Sequence, residues 1–135
     1  MRKMLAVLLL ISVAACKEDD EAPASINGYW TVETPDGATT VTFRIAQQED
    51  ITETIVNHNG KSYTSKPVDA GFSAISEHEL ESITFVNNNY EIPFFIIRFQ
   101  QVTINSDFTE MSIATASFNI DGVFRQFTDL KATRN

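Results

Sequence analysis

The sequence predicts an all-β domain: a small antiparallel up-and-down barrel of eight or nine strands with at most one short helix, an Ig-like β-sandwich being the alternative. Three observations lead there. Apolar and polar residues alternate with period two in several segments, as strands with one buried face require. Turn signals such as Asn59-Gly60 and Asp121-Gly122 divide those segments at short intervals. No stretch supplies the long crossovers that parallel strands need, so successive strands are expected to pair antiparallel.

The elements follow in order from a domain start near Ile26. Tyr29 to Thr34 alternates, with Trp30, Val32 and Thr34 on one face, and Pro35-Asp36-Gly37 makes a turn. Thr39 to Ala46 gives the clearest half-buried strand, Val41, Phe43 and Ile45 pointing one way. Ile51 to Val56 reads as a weaker strand, Asn57 to Gly60 as a turn, and Lys61 to Lys66 as a short polar edge strand. Phe72 to Leu80 is ambiguous. Ser76 and Glu79 have capping-box spacing, so this stretch is either one short helix or loop.

Ser82 to Val86 resumes the alternation, and Asn87-Asn88-Asn89 turns. Ile92 to Phe99 is apolar on both faces as far as Arg98, with Pro93 confined to the strand start or an edge, and Gln100 to Ile104 extends it. Within Phe108 to Ile120 the apolar parity changes, from Met111 and Ile113 to Ala114, Ala116, Phe118 and Ile120, which predicts a β-bulge near Ala114. Asp121-Gly122 predicts a two-residue hairpin into Val123 to Thr128, and Leu130 to Thr133 ends the chain.

Ahead of this domain lies a leader. Arg2 and Lys3 form a basic start, and Leu5 to Val13 is an apolar run too short to cross a bilayer. Val13-Ala14-Ala15-Cys16 resembles the lipobox of bacterial lipoproteins. The resemblance implies removal of residues 1–15 as a signal peptide and lipidation of Cys16, the only Cys in the chain. More than one acyl chain would then hold the protein on a membrane stably. Lys17, Glu18, Asp19, Asp20 and Glu21 resemble the export signal of surface lipoproteins in Bacteroidetes. That implies the outer membrane with the domain facing the exterior. A plain solvated tether on the periplasmic face is the alternative reading of the same residues. Residues 16–25 are thus a lipidated acidic tether and 26–135 the β-barrel domain.

Cleavage would leave eight basic against eighteen acidic residues, a net charge of −10, and Ile26 to Asn135 alone has seven against fourteen. An acidic domain is a poor nucleic-acid partner, because phosphates need a basic face, and it is repelled by anionic lipid. With Cys16 lipidated no disulfide is available, so stability must come from a packed core.

Gly28-Tyr29-Trp30 at the start of the first strand is similar to the Gly-X-Trp of lipocalins and related calycins. The resemblance implies that Gly28 and Trp30 close one end of a barrel, with Arg134, or else Arg125, packed over the Trp. Trp30 reads equally as an ordinary core aromatic.

No catalytic constellation is legible. His58 falls in a turn, His78 in the ambiguous stretch, and neither has a second His or a Cys at metal-ligand spacing. Glu77 to Glu81 reads as a solvated acidic segment rather than a cation site, and Asn105-Ser106-Asp107 and Asn119-Ile120-Asp121-Gly122 as turns without the spacing of an EF-hand loop. The reading is therefore non-enzymatic and without cofactor or metal, a dispersed carboxylate pair of the glycosidase kind being the one catalytic arrangement that spacing leaves open. The aromatic runs Phe94 to Phe99 and Phe118 to Phe127 read as core, or in part as the lining of an apolar pocket. The expected role is a binding module for a small apolar ligand. The alternative is a structural or accessory subunit of a surface complex with no ligand cavity.

Overall fold

The computed structural model describes residues 25–63, 69–87 and 94–135. The leader, Cys16 and the run Lys17 to Glu21 lie outside these residues, as do Lys66, Asn88, Asn89, Ile92 and Pro93. The strands are β1 Gly28–Glu33, β2 Thr39–Ala46, β3 Asp50–His58, β4 Lys61–Ser62, β5 Asp69–Ser76, β6 Glu79–Asn87, β7 Phe95–Ile104, β8 Glu110–Ile120 and β9 Val123–Arg134.

They form one sheet in the order β4-β3-β2-β1-β9-β8-β7-β6-β5, every neighbouring pair antiparallel. A single continuous sheet is not a sandwich, which needs two, so that alternative is set aside. The order is that of two meanders joined where the first and last strands pair. The sheet curls into a half-barrel until β3 approaches β5, although no ladder joins those strands among the described residues.

Turn chemistry fixes the registers. Asp121 and Gly122 hold φ of 54° and 84°, and Asn59 and Gly60 hold 51° and 82°. Two successive positive φ values give the hairpin turn whose twist matches the strands it joins. Accordingly Ile120 faces Val123, and His58 faces Lys61, across two-residue loops.

The stretch from Phe72 to Leu80 is neither helix nor loop but a hairpin. β5 runs to Ser76, β6 starts at Glu79, and these two residues face each other across Glu77-His78. The Ser76 hydroxyl accepts a bond from the His78 amide at 3.3 Å. The spacing that suggested a helix cap thus serves a two-residue turn. Its strand character is faint because β5 ends the sheet and turns only Ala70 and Phe72 toward the core.

The bulge expected near Ala114 belongs to a longer feature. Inward positions are three residues apart instead of two at one level of several strands: Leu80 to Ile83, Phe99 to Val102, Ile113 to Ala116, and Phe127 to Leu130. The residues passed over include Glu81, Gln101, Ala114 and Asp129, which follow one another across β6 to β9 by register. Gln101 and Asp129 hold φ of 56° and 59°. On β3 the register against β2 shifts between Arg44 and Ile45, leaving Thr52 as the extra residue. Such breaks bend strands and increase local twist. Aligned across neighbouring strands, they form a transverse crease that curls the sheet.

Inside the curl, aromatic rings meet from opposite walls. Phe43 on β2 lies 5.2 Å from Phe85 on β6 and 6.5 Å from Phe99 on β7, centroid to centroid. Phe85–Phe99 and Phe99–Phe118 add tilted contacts at 5.5 and 6.1 Å. Tilted pairs of this kind contribute about 0.5–1.5 kcal/mol each beyond their area burial. The waist of the half-barrel is therefore filled by side chains.

Candidate binding site

The two ends of the half-barrel differ. At one end Trp30 is fully buried and its Nε1 donates to the Ile26 carbonyl at 2.9 Å. The Arg134 guanidinium lies 4.8 Å above the indole, a cation–π geometry. Its Nη1 donates to the Phe108 carbonyl at 2.9 Å and its Nη2 to the Asn27 carbonyl. Gly28 has φ of +131°, and a Cβ there would meet Arg134 Nη2 at 3.1 Å. Gly28, Trp30 and Arg134 thus come together, whereas Arg125 lies at the other end. His78 stacks on Phe108 at 4.6 Å, which covers this end further.

The opposite end carries the candidate site. β1 pairs with β9 only from Trp30 to Val32, opposite Arg134 to Ala132. From Val123 to Lys131, β9 has β8 on one side and no laddered partner on the other among the described residues. Along this length the seam between β9 and the β1–β2 hairpin lacks ladder pairs, and it is called the slot below. Phe127 is partly buried behind it, 5.8 Å from Phe118.

Two side-chain bridges span this end. Arg125, facing inward on β9, donates to Thr39 Oγ1 at 2.9 Å and pairs with Asp36 in the β1–β2 turn. Its guanidinium also lies 5.0 Å over the Phe127 ring. The buried Tyr63 hydroxyl donates to Asp121 Oδ2 at 3.2 Å, tying the chain after β4 to the β8–β9 turn.

Local sequence explains how Asp36 is set. Thr34 accepts the Gly37 amide at its carbonyl, 2.9 Å, and its hydroxyl donates to Asp36 Oδ1 at 2.7 Å. The Ala38 amide donates to the same oxygen at 3.0 Å. These bonds, and then Arg125, hold the Asp36 carboxyl down to about 2. Across β2 and β3, Thr39 Oγ1 lies 2.7 Å from His58 Nδ1. Burial, and then the Arg125 charge, lower the His58 pKa below its ordinary value. Burial raises that of Tyr63, with Asp121 acting in the same direction.

The arrangement is a polar latch, Asp36–Arg125–Thr39, laid over the partly buried Phe127. Among the described residues no group of three His, Cys, Asp or Glu is placed to hold a metal ion. Of the two aromatic runs, Phe95, Phe99 and Phe118 are core, Phe127 lies behind the slot, and Phe94 and Phe124 are exposed.

No family model, no curated protein and no solved structure matches the chain. The slot is thus known only by its geometry. Sequence reasoning missed the Asp36–Arg125 latch. Thr34-Pro35-Asp36-Gly37 announces a turn, but its partner lies 89 residues away in sequence.

Proposed function

We propose that the protein is a lipid-anchored binding module that takes a small, largely apolar ligand at the slot between β9 and the β1–β2 hairpin. Cys16 carries the lipid, and the run Lys17 to Glu21 directs the domain to the outer face of an outer membrane. The observation that carries the binding reading is the unpaired half of β9, with Phe127 and Phe118 behind the Arg125–Asp36 latch. The filled waist sets the size: a ligand held at the slot cannot run the length of the half-barrel.

Titration with the apolar fluorophore 1-aminoanthracene tests this. Saturable binding is expected, weakened about tenfold or more by Phe127→Ala, as loss of a large apolar contact in a pocket implies. Absence of binding by the folded protein, or binding indifferent to that substitution, rejects the slot as the site. The anchor has its own test. Cys16→Ser is expected to abolish labelling by radioactive palmitate and release the protein from membranes. Alanine at Lys17 to Glu21 is expected to remove it from the reach of external protease while lipidation persists.

A further inference from the structure

The slot-end part of the outer face of β5 to β9 carries little charge, whereas Glu79, Glu81, Glu110, Asp129 and Lys131 stand unburied toward the other end, Glu81 accepting from the Ser73 hydroxyl at 3.4 Å. Register places its outward residues in three transverse rows. The row nearest the slot end is Asp69, Val86, Ile96, Asn119 and Phe124. The next is Gly71, Thr84, Arg98, Ser117 and Gln126. The third is Ser73, Ser82, Gln100, Thr115 and Thr128. None of these residues is buried, and only Asp69 and Arg98 are charged. The outer face of β1 to β3 is different: Tyr29, Arg44 and Glu53 form one row, and Glu33 stands in another.

Two further observations lie on the same face. A shallow, open depression of about 410 Å³ covers β5 and β6, with Asp69, Gly71, Ser73, Ser82, Thr84 and Val86 among its walls. Toward the slot end of the same face stand three exposed apolar side chains, Ile96 at 37 %, Phe94 at 38 % and Phe124 at 62 % of full exposure, with Asn119 between Ile96 and Phe124.

We infer that this face binds a neutral polysaccharide. Hydroxyl and amide side chains donate and accept hydrogen bonds, as sugar hydroxyls do. On a sheet they recur about 4.8 Å apart across strands and about 6.8 Å along them, a regular grid suited to a repeating polymer. The exposed aromatic and aliphatic side chains offer a platform for the C–H faces of sugar rings. Within the three rows only Asp69 and Arg98 are charged, one of each sign, which matches an occupant without net charge. The open, shallow form of the depression suits a chain lying along the surface rather than an enclosed small molecule. This site is separate from the slot and does not depend on it.

Affinity electrophoresis of the detergent-solubilised full chain tests the inference. Native gels would contain galactomannan, xylan, mixed-linkage β-glucan or dextran, with polygalacturonate as the acidic control. Retardation by at least one neutral polymer is expected, unchanged by added salt, and none by polygalacturonate. Phe124→Ala and Thr84→Glu should each weaken it about tenfold or more. Ser117→Glu serves where Thr84→Glu fails to fold, and Thr42→Glu, on the opposite face, should leave retardation unchanged. No retardation in any neutral gel overturns the inference, as does retardation that the face variants leave intact. So does a concentration-dependent dimer broken by Thr84→Glu, which would make a second copy of the chain the occupant.

Discussion

His58 and Asp36 sit at one latch and respond to acid in different ranges. The folded His58 pKa lies below its ordinary 6.5, chiefly through burial. Its contribution is complete above that value and is lost as pH falls through the lower folded one. Asp36 contributes fully above 3.8 and loses its contribution only as pH falls through about 2. Thermal midpoints should therefore fall as pH drops below about 6.5, and His58→Asn should lessen that fall. An unchanged slope in the variant would assign it to other groups. At the Trp30 end, Gly28→Ala combines a positive φ with a Cβ 3.1 Å from Arg134. It is expected to cost about 1–3 kcal/mol in urea unfolding. Gly-X-Trp was legible as a motif, and Arg134 as one of two candidates to cover the indole. What the residues alone could not say was which arginine does so, because that depends on where the last strand's ends fall.

At the scale of elements, alternation was readable wherever one face is buried, as in β2, where Val41, Phe43 and Ile45 are all buried. It failed in β5, an edge strand whose outer half buries little. The crease was half visible. The parity change after Ile113 announced one break, but nothing in the sequence aligned it with Gln101 and Asp129. Neither is a glycine, so the usual marker of positive φ is missing at both. Asp129 is exposed, which separates backbone effects from packing. Asp129→Gly should be neutral or mildly stabilising. Asp129→Val should destabilise by about 1–3 kcal/mol, since a β-branched residue resists the left-handed region. Equilibrium unfolding of the two variants checks both directions.

For the whole molecule, the decisive fact is that β1 is shorter than β9. The mismatch opens the slot and leaves the amides on one edge of β9 without laddered partners from Val123 to Lys131 among the described residues. Hydrogen exchange should divide β9 accordingly. Slot-edge amides between Val123 and Thr128 should exchange faster than those paired with β1 near Ala132 and Arg134. Uniform protection along β9 would mean that the slot is closed in solution. The up-and-down order could be anticipated from short turns, but the slot could not. It arises from a difference in strand lengths that composition does not encode.

The place of β1 has a mechanical consequence. The chain's first strand is not at a margin but in the middle of the sheet, bonded to β2 on one side and β9 on the other. A pull on the segment before Ile26 runs along this strand and loads its hydrogen bonds in shear, together rather than one at a time. The Arg134 side chain, bonded to the Asn27 carbonyl, braces the point where the load enters. Drag applied through that segment would thus fall on a strand bonded on both sides, while the margins, β4 and β5, carry none of it directly.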